Sequence, residues 1–373
     1  MTDSAFAPLE FAQGFTLRNR IAMAPMTTWS GNPDGTVSQA ELDWYRPRVN
    51  GVGLVITGCT HVQANGIGFT DEFAAFDDRF VPSLTRLAQV SKSGGATAVL
   101  QIFHAGNKAV PMLAGDVVSA SAVATEASPF APSITPRALG EAEIEVLIAD
   151  FGAATRRAIA AGFDGVELHG AHGFLLQNFL SPRANRRNDG WGGSLENRMR
   201  LPLAVLAEVR RVAATAGRPF LVGYRVSPEE PGEGGLRIGD VLALTEALIA
   251  GGVDYLHVSL ADLLTARPLD GQDKALTAEL FARQVAGRVP LIAAGQVRTP
   301  DQARQALALG LSLVAIGKGL VMNPDWVEDA RSDRADRIVT ELDLKRAGKL
   351  AIPAKLQTVI SATAGWFPLR QAA

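Results

Sequence analysis

Four segments of the chain repeat one pattern: a glycine, then a short apolar and β-branched run that ends in small or polar residues. They are GVGLVITG from Gly51, GFDGVELH from Gly162, GVDYLHVS from Gly252 and GLSLVAIG from Gly310. Each reads as a helix stop feeding a buried strand, because glycine tolerates the left-handed backbone that ends helices and a short β-branched run suits a strand. Aligned on the glycine, the eighth residues are Gly58, His169, Ser259 and Gly317, which places them at equivalent strand ends.

A helical pattern precedes each of the later three. Ile144, Leu147, Ile148, Phe151 and Ala158, spaced by threes and fours, make one apolar face that Gly162 terminates. Strands alternating with helices predict an α/β fold with a parallel sheet. IAMAP (21–25), TAVLQIF (97–103), PFLVGYR (219–225) and VPLIAAG (289–295) bring the strands to eight. That is the count of a (β/α)8 TIM barrel, whose site lies at the C-terminal ends of the strands. An open doubly wound sheet would want a glycine-rich dinucleotide fingerprint after its first strand, and none stands there. Residues 107–140, with six prolines and glycines and little periodicity, read as a loop excursion after strand three. The expected organisation is one barrel over 1–325 and a C-terminal extension over 326–373, packed on the barrel or on a neighbouring subunit.

Composition narrows the partners. The 373 residues are 47% hydrophobic and 20% charged, ample for a core. A rule of about 150 residues per domain suggests two domains, but barrels exceed it. A net charge of -2 leaves no basic footprint for nucleic acid or an anionic membrane. A small-molecule substrate in a pocket is expected, with a homo-oligomer left open. The single cysteine, Cys59, excludes an internal disulfide and a thiolate-ligated iron–sulfur cluster, and fits a reducing compartment. The N-terminal MTDSAFAPLEF lacks a secretory pattern, and no run reaches the ~18 apolar residues of a membrane span. A cytoplasmic protein is expected.

The stretch Leu168–Arg198, LHGAHGFLLQNFLSPRANRRNDGWGGSLENR, carries the strongest chemical signal. The strand VEL (166–168) leads into His169 and His172, which places both imidazoles to donate hydrogen bonds to one bound group. A metal site is the competing reading of H-x-x-H, but no third ligand sits at convincing spacing, so no metal is expected.

HGAHGFLLQNFLSP followed by NRRNDGWGGSLENR resembles the signature of the Old Yellow Enzyme family of FMN-dependent oxidoreductases. The resemblance extends to MAPMTT (23–28), QIFHAGN (101–107), the strand ending at Arg225 and two strand-end glycines, spanning roughly residues 8–325. It implies FMN as cofactor and NAD(P)H as hydride donor. FMN rather than FAD is implied, since no adenine-binding module is visible.

By that resemblance, Thr27 meets the flavin carbonyl next to the hydride-shuttling atom, with Pro25 and Met26 beside it; on its own, Thr27 reads as a turn cap. Gln101 is implied at the pyrimidine edge, where an amide donates and accepts at once. Arg225 is implied near flavin N1, stabilising the reduced ring's negative charge; after the apolar GYRVS approach, it reads as a partly buried charge needing a partner. Gly295 and Gln296, with Gly317 and Lys318, are implied at the phosphate. Lys318 departs from the family's more usual Arg, keeping the charge and losing the bidentate fork. Cys59 reads as a small buried residue, or one lining the flavin.

His169 and His172 resemble the pair that holds a substrate carbonyl or nitro oxygen and draws electron density towards it; His169 also counts among the cofactor contacts. Trp29 and Phe174 are implied in the substrate pocket. Phe174 stands where the family's Tyr protonates the substrate α-carbon, and phenylalanine donates no proton. Tyr45, Tyr224 and Tyr255 all lie outside the motif. Hydride transfer into the flavin should survive, whereas alkene reduction needs its proton from water or another side chain. Quinones, strongly activated alkenes, nitro compounds or dioxygen are the expected acceptors. The alternatives are an NADH oxidase or flavin/quinone reductase without ene-reductase activity, and an FMN-binding protein without turnover. The charged run Asn185–Asp189 reads as a solvated loop, and by resemblance as a structural, cofactor-side segment. Trp366, Phe367 and Pro368 read as packing, or as reaching a neighbouring subunit's pocket.

Overall fold

A computed structural model describes residues 4–127, 133–271, 274–332 and 334–370. Part of the 107–140 excursion therefore lies outside the described residues. Eight strands close into a parallel barrel: β1 (Ile21–Met23), β2 (Leu54–Ile56), β3 (Thr97–Phe103), β4 (Gly165–Gly170), β5 (Leu221–Val226), β6 (Tyr255–Ser259), β7 (Leu291–Ala294) and β8 (Leu313–Ile316). Each pairs in parallel with the next, and β8 returns to β1 with Val314 opposite Ile21. The helices between them are α1 (Gln39–Arg48), α2 (Val81–Lys92), α3 (Glu141–Ala160), α4 (Leu195–Ala213), α5 (Ile238–Ala250), α6 (Thr277–Val285) and α7 (Pro300–Ala308). Gly162, at φ +86°, ends the third of these as its pattern predicts.

The strands are shorter than several predicted runs. β1 stops at Met23, before Pro25, whose missing N–H cannot continue a ladder. β5 starts at Leu221, after Pro219 and Phe220, and runs one residue past Arg225.

Strand alternation sorts the residues into two layers. Val166, Leu168, Val222 and Tyr224 face outward into the main core beneath the helices. Leu54, Val99, Leu221, Tyr255, Ile292 and Leu313 belong to a second apolar cluster inside the barrel, with Phe11 and Leu17 of the N-terminal hairpin. Phe11 meets the Tyr255 ring edge-on at 6.2 Å, so the hairpin covers the N-terminal mouth. Gly223 makes room for this filling, since a Cβ there would lie 2.0 Å from the Tyr255 ring. The barrel interior is therefore apolar at one end and available for chemistry at the other.

The C-terminal extension packs on its own barrel. Trp326 is fully buried in the main core and its indole N–H donates to the Arg298 carbonyl at 2.6 Å. The buried Arg48 guanidinium, stacked 3.6 Å from the Trp44 ring centroid, donates to the Leu350 carbonyl. Among the described residues, no helix is long and apolar enough to cross a membrane.

Candidate active site

At the C-terminal end of the barrel, the strand interior turns polar. Gln101 on β3, Glu167 on β4, Arg225 on β5 and His257 on β6 are all buried. Glu167 accepts from Gln101 Nε2 at 2.6 Å and from His257 Nδ1 at 3.0 Å. Burial alone would raise the Glu167 pKa, but the charges and hydrogen bonds around it, Arg225 included, hold it below the ordinary value. Burial holds His257 neutral, so its Nδ1–H is the donor and Glu167 is the buried anion beneath the site. Neither group was singled out by sequence reasoning: GVELH and DYLHV show each residue, but only barrel closure brings them together.

Above this layer opens a cavity of about 510 Å³. All the sequence-predicted site residues line it. From β1 come Pro25, Met26, Thr27 and Trp29; from β2 and β3, Cys59 and Gln101; from β4, His169, His172 and Phe174. Arg225 follows on β5, and Gly295, Gln296, Gly317 and Lys318 complete the ring after β7 and β8. Of the four aligned strand ends, His169, Ser259 and Gly317 line the cavity, whereas Gly58 lies behind Cys59 with its N–H on the Tyr45 hydroxyl. The run Asn185–Asp189 is not part of the lining. Asn185 Nδ2 donates to the Phe179 and Trp191 carbonyls, and Arg187 ties to Asp189 at 2.6 Å and to the Leu139 carbonyl at 2.6 Å, which pins the excursion to the barrel.

The imidazoles are neutral and oriented. Burial lowers the pKa of His169 well below its ordinary value, with further lowering from His172 and Arg225; His172 opens to the cavity, and there desolvation by the surrounding protein and then Arg225 lower its pKa as well. His169 Nδ1 accepts the Ala171 N–H at 3.2 Å, which leaves its Nε2–H as a donor. His172 Nε2 is 2.7 Å from the Ser259 hydroxyl, whose oxygen accepts from Arg225 at 2.9 Å. In the tautomer that takes the Ser259 proton at Nε2, the His172 N–H stands at Nδ1. Three residues in the left-handed region line the same cavity, Trp29 at φ +53°, His172 at +58° and Gln296 at +56°. Strained backbone of this kind clusters at functional sites.

Phe174 is 5% exposed and packs edge-on against His169 at 4.8 Å and Phe103 at 4.9 Å. Cys59 donates to Gln101 Oε1 at 3.4 Å. Burial pushes this thiol's pKa up, with Glu72 adding to the rise, so it stays protonated.

The family model described as NADH:flavin oxidoreductase / NADH oxidase matches residues 4–337. The chain belongs to this family, the Old Yellow Enzyme family. It is similar to the probable NADH-dependent flavin oxidoreductase YqiG of Bacillus subtilis, 42% identical over 98% of each chain. It is 38% identical to the NADH:fumarate oxidoreductase of Klebsiella pneumoniae across 94% of its own length, but spans only 38% of that longer protein. The structure of morphinone reductase in complex with tetrahydroNAD superposes with a TM-score of 0.75 at 28% identity, covering 89% of this chain and 91% of that one. The protein is thus an FMN-dependent NAD(P)H oxidoreductase on a TIM barrel.

The residues present fit an Old Yellow Enzyme flavin. Arg225 Nε is buried with no hydrogen-bond partner, a donor that a bound acceptor would satisfy. Gln101 has used one N–H and one lone pair on Glu167 and Cys59, and an amide carries two of each. At the β7 and β8 ends, burial and then the nearby Arg298 charge lower the Lys318 pKa. Lys318 and Gln296 line the cavity there, and Arg298, which donates to Gln296 Oε1 at 2.8 Å, adds a second positive charge beside them, a setting that suits an anion. Arg298 escaped sequence reasoning, although its position two residues after Gln296 was a usable signal. Trp366 reaches the cavity of its own chain, meeting Trp29 edge-on at 5.9 Å, while Phe367 lies 5.5 Å from the Lys318 amine.

Proposed function

We propose that this enzyme delivers hydride from NAD(P)H to an electron-poor acceptor, an activated alkene, a quinone or a nitro compound, bound beneath His169 and His172. The carrying observation is the neutral, hydrogen-bonded imidazole pair with its ring centroids 5.0 Å apart on the cavity wall. When bound, FMN supplies the two-electron relay between nicotinamide and acceptor. His169 Nε2–H and His172 Nδ1–H hold the acceptor oxygen and stabilise the negative charge that develops there. Arg225, anchored through Glu167 and Ser259, favours negative charge on the reduced cofactor. Gln101 and Thr27 orient the ring edge, and Lys318 with the Gln296 turn holds the phosphate.

In this reading Phe174 occupies the place of the family's proton-donating tyrosine. Its apolar packing supports a second reading, a quinone or flavin reductase or NADH oxidase without ene-reductase activity. Anaerobic stopped-flow separates the two. The holoenzyme is reduced with NADH or NADPH and mixed with 2-cyclohexenone or a quinone, and flavin reoxidation is followed. Reoxidation by both acceptors supports the broader activity, and quinone-only reoxidation establishes the narrower one.

A further inference from the structure

Among the groups lining the cavity, few can release a proton near neutral pH. His169 and His172 are neutral, Arg225 does not deprotonate in proteins, and burial keeps the Cys59 thiol from ionising. Lys318 sits on the far wall with Arg298, at the ends of β7 and β8. One ionisable group remains on the β4 side: Lys108, in the turn Gly106–Lys108 after β3.

Lys108 packs against the turn after β4 that carries Phe174. Its Nζ donates to the His172 carbonyl at 2.6 Å, and a Cβ built on Gly173 would lie 3.1 Å from that nitrogen. Gly173, at φ +73°, thus leaves room for the amine in a backbone conformation that other residues resist. Glu230 and Arg183 are the charged groups facing Lys108, and both Glu230 oxygens are held, one by Gln177 at 2.8 Å and one by Ser181 at 2.5 Å. No carboxylate lies within ion-pair distance of the amine among the described residues. Two of its three N–H bonds are therefore free to face a ligand.

We infer that Lys108 is the proton donor for alkene reduction, taking the part that Phe174 cannot play. This inference rests on the ene-reduction reading above. The alkene β-carbon gains hydride, the π pair moves to the α-carbon, and a new C–H bond forms there as an N–H bond of the ammonium breaks. The neutral amine then regains its proton from solvent at the cavity mouth. Two electrons and two protons enter the alkene in all: the reduced cofactor gives up a hydride, which carries both electrons and one proton, and the ammonium gives up the other proton. Lys108 opens to the cavity, where desolvation by the protein around it lowers its pKa from the ordinary value, with Glu230 opposing and Arg183 adding to the shift, and a weaker base is a better acid at neutral pH.

The test compares wild type, Lys108→Met and Lys108→Arg holoenzymes, each reduced anaerobically and mixed with 2-cyclohexenone or a quinone. Loss of a general acid lowers the enone-to-quinone rate ratio by at least about tenfold in both variants. Methylamine added to Lys108→Met partly restores the ratio, and restores nothing if the side chain is merely structural. A readout independent of turnover is NMR titration of 13C-methylated lysines, with Lys108 assigned by its absence in Lys108→Arg. Its pKa should fall below the ordinary lysine value and match the pH above which wild-type enone reduction declines. An unchanged ratio in both variants overturns the assignment while leaving ene-reduction standing. Wild type that reduces quinone and no alkene overturns the ene-reduction reading and, with it, this role for Lys108.

Discussion

His172 Nε2 and the Ser259 hydroxyl, 2.7 Å apart, join the turn after β4 to the end of β6 across 87 residues of sequence. Ser259 Oγ also accepts from Arg225, so one hydroxyl links the second imidazole to the buried guanidinium and fixes the ring's orientation in the cavity wall.

His172→Ala removes a donor aimed at developing negative charge, and such a loss lowers acceptor kcat/KM by about 10²–10³. Ser259 acts through His172, so Ser259→Ala is expected to cost less, about tenfold (1.4 kcal/mol), and Ser259→Thr to restore most of it. Steady-state kinetics with one acceptor at saturating NAD(P)H checks the order. An effect of Ser259→Ala that Ser259→Thr does not reverse would point to packing instead.

Phe174→Tyr adds a phenolic hydroxyl to a ring whose centroid stands 4.8 Å from that of His169. A positioned general acid contributes roughly 10²–10⁴, so enone reoxidation should rise by up to about a hundredfold while quinone reoxidation changes little. Equal acceleration of both acceptors in stopped-flow would refute a role in carbon protonation.

Lys318 supplies a point charge near Arg298 at the ends of β7 and β8, where we propose that the phosphate is held. A hydrogen bond to a charged group is worth about 1.5–3 kcal/mol, so Lys318→Met should weaken FMN binding by roughly ten- to a hundredfold. Lys318→Arg should tighten it through bidentate contact. Fluorescence titration of apoprotein with FMN measures both, and identical affinities in all three proteins would place the phosphate elsewhere.

Glu41 on α1 is 1% exposed, accepts from the Thr28 hydroxyl, and is pushed up to about 7 by burial, with the Thr28 hydrogen bond opposing. The folded state keeps this proton where the unfolded chain has lost it. Its stabilising contribution is therefore complete below pH 4.5 and is lost as pH rises through about 7. At 1.36 kcal/mol per pH unit of displacement, the ionised carboxylate costs about 3 kcal/mol above that pH. Glu41→Gln stays neutral, so its melting temperature relative to wild type should climb between about pH 5 and pH 8. A pH-independent difference would show that Glu41 ionises normally.

The barrel and the strand-end positions of its chemistry were legible in the chain because both are written locally. Glycine-led β-branched runs mark strands, apolar spacing by threes and fours marks helices, and strand parity sends Gln101, Glu167, His169, Arg225 and His257 to one interior. The HGAHGF and APMTT motifs sit within single strand-to-helix connections, so each survives as a string. What the string does not hold is the set of partners that closure creates. Glu167 finds His257 across 90 residues, Trp366 finds Trp29 from the other end of the chain, and Arg298 settles beside Lys318. Lys108 meets the turn of Phe174 from 64 residues before His172. Such contacts depend on shear, register and the path of long connections, which no local pattern encodes. The sequence by itself determined the fold and the kinds of groups at the site. Only the tertiary structure decided which groups orient the two imidazoles, which buried charge balances which, and which amine stands beside a phenylalanine that has no proton to give.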